Sequence, residues 1–228
     1  MNATPSQADN ILDKALELGE TTGWDALRLH SLADALHLSL DEIRTCYPQK
    51  DDLAEAWFDR ADQAALAVSE RDGFPALPER TRLSMVIMTW LDTLLLHRRL
   101  TRSMLGYKLE PGHIHLQALG IQRISRTVQW FMEAAQLDVQ GLQRIATESA
   151  LTTTYLATFA RWLLDASPDS RDTRRLLDAA LTQQEKFLAT LFRQTAGSQQ
   201  ADTSNTDDLP APATKGSTTN KNDINPRL

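Results

Sequence analysis

The sequence of 228 residues predicts an all-helical fold in two parts, a small amino-terminal helix-turn-helix unit followed by a longer helical bundle. Three observations predict it. Apolar residues recur at helical spacing through nearly every segment, and no run alternates as a strand would. A capping box and a proline stop bracket one very short helix near residue 40, the mark of a helix-turn-helix. Finally, the run from Asp72 to Pro78 (DGFPALP) is a break, beyond which the helices lengthen to bundle size.

Taken in order, residues 1–8 are polar and read as a flexible start. Asp9 or Asn10 can cap a first helix that carries Ile11, Leu12, Ala15 and Leu16 on one face, and Gly23 ends it after Thr22. Leu29, Leu32, Ala33 and Leu36 make one apolar face of a second helix. His37-Leu38-Ser39 interrupts it, and Ser39 with Glu42 forms the capping box of a third. Ile43 and Tyr47 give that helix its apolar edge, and Pro48 stops it because a residue before proline avoids the helical region. A supporting helix restarts at Lys50 with Leu53, Ala56, Trp57 and Ala61 on one side, closing a domain over residues 9–72.

A second domain spans residues 79–195. Its first helix, 79 to about 109, has Leu83, Val86, Ile87, Trp90, Leu91, Leu94 and Leu95 and is apolar nearly all round, as burial on several sides requires. Glu110-Pro111-Gly112 stops it. Amphipathic helices follow over 115–137 and 142–164, then a turn at Ser167-Pro168-Asp169-Ser170, then a last helix capped by Asp172 and running to about Gln194. Residues 196–228 are almost all small and polar and read as a disordered tail.

Composition narrows the function. A net charge of −6 and a pI near 5.4 argue against a general polyanion binder and fit a cytoplasmic protein. The single cysteine, Cys46, excludes an intrachain disulfide and reads as a small packed hydrophobe. No stretch has the length and apolarity to span a bilayer. His113 and His115 lack Cys or carboxylate partners at ligand spacing, so no metal is expected. With no phosphate loop, nucleophile elbow or buried carboxylate pair, no enzyme is expected either.

The helix-turn-helix residues resemble the TetR family of bacterial regulators. Ile11-Leu12, Ala15-Leu16 and Leu18 match its first helix, Gly23-Trp24 its turn, and Leu32-Ala33-Asp34-Ala35-Leu36 its second helix. Tyr47-Pro48-Gln49-Lys50-Asp51-Asp52-Leu53 matches the start of its fourth. The resemblance implies a TetR-like fold, a homodimer and DNA contacts from Arg28, His30, Arg44 and Lys50. The charge of the region points the other way. From Arg28 to Arg60, four basic residues (Arg28, Arg44, Lys50, Arg60) face seven acidic ones (Asp34, Asp41, Glu42, Asp51, Asp52, Glu55, Asp59), a balance of −3 where phosphate contacts need cations.

A second resemblance lies further on. Arg161-Trp162-Leu163-Leu164-Asp165-Ala166-Ser167-Pro168-Asp169, then Asp172-Thr173 and Leu176-Leu177, with Tyr155 and Trp130 upstream, are similar to the Coq-nine family of ubiquinone-biosynthesis accessory proteins. That resemblance implies an isoprenoid or other lipid bound between the bundle helices and a quinone-biosynthesis hydroxylase as partner. Val86, Trp90, Leu94, Phe131, Tyr155 and Phe159 supply apolar side chains for such a pocket, and equally for an ordinary helical core. Arg171, Arg174, Arg175, Lys186 and Arg193 on the last helix suit a dimer interface, plain packing, or peripheral contact with the inner face of a membrane. The resulting expectation is a non-catalytic lipid-binding accessory protein of ubiquinone biosynthesis with a degenerate DNA-binding helix. The alternative is a ligand-responsive transcriptional repressor that binds DNA as a dimer.

Overall fold

The computed structural model describes residues 6–109 and 114–204, with side chains described for 6–106 and 120–193. Every regular element among the described residues is helical: α1 (Gln7–Thr22), α2 (Leu29–Leu36), α3 (Leu40–Cys46), α4 (Lys50–Ala67), α5 (Glu79–Thr93), α6 (Arg98–Leu109), α7 (Ile114–Ala134), α8 (Gly141–Leu163) and α9 (Arg171–Ser204). The chain divides into two compact units, 1–189 and 190–228. The described part of the second, residues 190–204, is helical.

Local chemistry sets the helix ends. Ser6, not Asp9 or Asn10, caps α1: its hydroxyl accepts from the Asp9 amide at 3.1 Å, and the Asp9 carboxylate accepts from the Ser6 amide, a reciprocal pair that carries the helix into the expected flexible start. Gly23 ends α1 at φ 84°, a left-handed conformation that glycine adopts without steric cost. Ser39 and Glu42 form the capping box of α3 as the spacing predicts, and Tyr47 leaves the helix before Pro48. At the far end, no proline falls between Arg171 and Leu209, and α9 continues past the expected stop near Gln194 to Ser204. Residues 205–228 of the expected tail, 1–5 of the expected start, and His113 lie outside the described residues; the side chain of His115 is likewise not described.

The helix expected over 79–109 is two helices. α5 ends at Thr93, a 3-10 turn covers Leu95–His97, and α6 starts afresh at Arg98. Tertiary contacts hold the break: His97 Nδ1 lies 3.2 Å from Glu20, and Arg98 donates to the Asp165 carbonyl and, at 2.9 Å, to Ser170 Oγ. Leu94, Leu95 and Leu96 fit a straight helix equally well in periodicity, which is why the pattern hides the turn. Only Leu94 is buried; Leu96 is exposed.

The amino-terminal core gathers Ile11, Leu16, Trp24, Leu32, Ile43 and Leu53, all almost fully buried, and each such side chain contributes on the order of 1.5–3 kcal/mol. Tyr47 Oη donates to the Ala8 carbonyl at 3.0 Å, tying the end of α3 to the start of α1. α4 belongs to both halves. Its buried residues run from Leu53 at the helix-turn-helix to Asp62 and Ala65 against α5, and Trp57 Nε1 donates to Thr101 Oγ1 on α6 at 2.9 Å.

Candidate functional site

α2 and α3 stand where the capping chemistry puts them, with α3 presenting Leu40, Asp41, Glu42, Arg44 and Thr45 to solvent. Leu40 is 55% exposed at the first position of α3, too open to be core. Of the four expected DNA contacts, Arg28 and His30 flank the start of α2 and are exposed, and Arg44 is exposed on α3. Lys50 differs. Its ammonium donates to the Trp24 carbonyl and sits 5.1 Å from the centre of the Trp24 ring, and burial, with Arg28 nearby, lowers its pKa. Arg28 Nη1 donates to the Asp25 carbonyl, so the two cations bracket the α1–α2 turn that Gly23 opens.

Five of the seven acidic residues that gave the region its −3 balance engage partners within the chain. Glu42 accepts from the Ser39 amide at 2.8 Å and from its hydroxyl, which lowers its pKa as a capping carboxylate at a helix N-terminus. Asp52 caps α4 in the same way by accepting from the Gln49 amide at 2.8 Å. Asp41 holds Arg44 at 2.7 Å, an exposed pair worth about 1 kcal/mol or less. Glu55 and Asp59 point away from the helix-turn-helix, toward α7. Glu55 and Asp59 thus leave this face, whereas Asp41 and Glu42 remain exposed on α3.

Behind this unit, α4, α5, α6, α7 and α8 line a half-open cavity of about 670 Å³, within the range that holds a drug-sized molecule. Phe58 comes from α4, Trp90 from α5, Arg102, Leu105 and Gly106 from α6, Gly120, Ile121, Arg123 and Ile124 from α7, and Tyr155, Leu156, Phe159, Ala160 and Leu163 from α8; Glu55 of α4 completes the wall. Three of the six expected pocket residues line it: Trp90, Tyr155 and Phe159. The other three, Val86, Leu94 and Phe131, are buried but do not line the cavity. Phe131 supports the wall, with its ring edge-on to Trp90 at 6.2 Å and to Tyr155 at 5.4 Å. Trp90 likewise meets Tyr155 edge-on at 5.5 Å and Phe159 at 5.4 Å, the geometry aromatic quadrupoles prefer.

At the α4 side of the cavity lies an ion network. Arg123 of α7 reaches three carboxylates of α4: Asp59 at 2.5 Å, Asp62 at 2.8 Å and Glu55 at 3.2 Å. Asp62 is itself buried, accepting from Trp90 Nε1 at 2.7 Å and Thr127 Oγ1 at 3.2 Å. Burial pushes the Asp62 carboxyl above its ordinary range, while Arg123 pulls it back. Burial also raises the Tyr155 phenol, with Asp62 adding to the rise, so Tyr155 stays protonated. One signal was available. Glu55, Asp59 and Asp62 fall at i, i+4 and i+7 on α4, an acidic stripe answered by Arg123 and Arg126 on α7.

On α9, Arg174 pairs with Asp92 at 2.6 Å, and Arg175 lies 3.9 Å from Asp172. Among the described residues no helix is long and apolar enough to cross a membrane, and no cluster of side chains suits a metal ion.

No protein-family model and no curated protein matches the chain. Solved structures do. The TetR transcriptional regulator from Nitrosomonas europaea is 46% identical, with 78% of this chain and 97% of that one covered and a TM-score of 0.70. A TetR transcriptional regulator from Rhodococcus sp. RHA1 matches at 17% identity, over 75% and 93% of the two chains, with a TM-score of 0.55. A TetR-family regulator from Streptomyces coelicolor matches at 18% identity, over 83% and 88%, with a TM-score of 0.53. These last two show the fold alone. The Nitrosomonas regulator overturns the expectation of a lipid-binding accessory protein of ubiquinone biosynthesis, and with it the hydroxylase partner; the Coq-nine resemblance finds no support in any of these comparisons. That expectation leaned on the −3 balance, to which Glu55 and Asp59 contribute although they face α7.

Proposed function

The chain belongs to the TetR family of transcriptional regulators, and from that premise we propose that it is a DNA-binding repressor whose grip on DNA responds to a small molecule in the bundle cavity. The observation that carries this reading is the 46% identity to the Nitrosomonas europaea regulator across nearly all of that protein. In it, α3 enters the major groove, Arg44 exchanges Asp41 for a phosphate or base edge, and Arg28 and His30 contact the flanking backbone. Lys50 braces the turn beneath them.

We propose a homodimer as the binding species. Leu142, Ile145, Leu156 and Leu164 on or just after α8, with Leu176 and Phe187 on α9, are large apolar side chains left exposed, a surface suited to pairing with a second copy. Coupling follows from α4. Its start follows α3 closely and its first half supplies Glu55 and Phe58 to the cavity wall, so a displacement at the wall moves the helix that supports the groove-facing unit.

Nuclease footprinting on the DNA upstream of the protein's own gene tests the reading. It should show two protected half-sites about one helical turn apart, lost on Arg44→Ala. Absence of a footprint at protein concentrations of about 1 µM would overturn it, since specific sites bind well below that.

A further inference from the structure

We infer that Leu40 is a base-reading residue, its side chain packed on the 5-methyl group of a thymine in the major groove. The inference rests on the DNA-binding reading above. It adds a specificity determinant to Arg28, His30, Arg44 and Lys50, all of which are polar.

Leu40 stands out against its own domain. Among the described residues 6–72 every other large apolar side chain is buried or half-buried, and Leu40 alone is exposed, at 55%. Its exposed companions on α3, Asp41, Glu42, Arg44 and Thr45, are all polar. It therefore belongs to no contiguous apolar patch of the kind that pairs with another protein or a second copy. Nor is its position loose. Leu40 lies between Ser39 and Glu42, whose reciprocal bonds at 2.8 Å and 3.2 Å fix the first turn of α3.

In a helix-turn-helix the second helix lies in the major groove and its leading residues meet base edges. Those edges present hydrogen-bonding atoms at every base pair and a single kind of apolar group, the thymine methyl. A leucine has no hydrogen bond to offer, so against any other edge it strips water from polar atoms and replaces nothing. Against the methyl it removes apolar surface of both partners from water. Arg44, four residues on, shares the same side of α3 and supplies the charge that holds the helix against the backbone.

Duplexes enriched from a random pool on the full chain supply the probe. Fluorescence anisotropy then reads affinity as each thymine in turn is replaced by deoxyuridine, which removes the methyl and keeps the pairing. At one thymine of a half-site, loss of the methyl should weaken binding about fourfold. Leu40→Ala should weaken binding to the parent duplex by at least as much and show no further loss with deoxyuridine there. Leu40→Met, which keeps an apolar side chain of similar reach, should retain most of the methyl effect. The position is exposed, so both variants should unfold at the native urea midpoint. A methyl effect of equal size in native protein and Leu40→Ala, no thymine whose methyl matters, or unchanged affinity of Leu40→Ala would each overturn the inference. Failure to enrich any duplex sinks the DNA-binding reading and this inference with it, whereas a selective duplex without a Leu40-dependent methyl effect sinks this inference alone.

Discussion

Asp62 shows how a single side chain resists reading from sequence. In the helical pattern it is one more acid between Ala61 and Gln63, yet it is almost fully buried and shared among Trp90, Thr127 and Arg123. Burial sets its pKa above the ordinary 3.8. A carboxyl that binds its proton more tightly in the folded state adds stability below its unfolded pKa and loses that contribution as pH rises through the folded value. Asp62→Asn removes the titration. The native protein should therefore lose ground to the variant in urea denaturation as pH is raised from about 4 toward about 7. Asp165 carries the opposite sign. It is buried, which alone would raise its pKa, but bonds from Ser167 and Thr173 outweigh burial and lower it. Asp165→Asn turns an acceptor toward donors and should cost about 1–3 kcal/mol at neutral pH, read as a lower urea midpoint. The aromatic half of the cavity was more legible: Trp90, Tyr155 and Phe159 announced themselves by size and helical spacing, whereas Arg102 and Arg123 looked like surface cations.

At the scale of elements, the helices were legible where their ends are written in side chains, as at Ser39, Glu42, Gly23 and Pro48, and illegible where tertiary contacts write them. The α5–α6 break is the clearest instance, since its determinants, Glu20, Asp165 and Ser170, lie far off in sequence. The seating of α1 on α6 is similar. A Cβ at Gly19 would fall 2.9 Å from Leu100 Cδ1, and Leu100 is buried. Gly19→Ala gains up to about 1 kcal/mol of helix propensity and meets an overpacking cost of about 1–3 kcal/mol, so a net loss is expected in urea denaturation. The α4–α7 clamp is stronger. Removing Arg123 leaves Asp62 buried without its counter-charge, and Arg123→Ala should lower stability by about 3–5 kcal/mol. A loss under about 1 kcal/mol would mean that Asp62 simply takes up a proton.

For the molecule as a whole, fold class followed from periodicity and caps, but function did not follow from net charge. The −6 of the chain and the −3 of its amino-terminal region include carboxylates that face arginines of α7 rather than the exposed surface of α2 and α3. α4 runs from the helix-turn-helix to the aromatic cavity. The most direct measurement is fluorescence anisotropy of labelled upstream duplex against a scrambled duplex of the same composition, titrated with the full chain over a series of salt concentrations. The upstream duplex should bind about a thousandfold or more tightly, with an affinity that falls linearly on a log–log plot as salt rises. Equal, weak binding of both duplexes at every salt concentration would contradict the account.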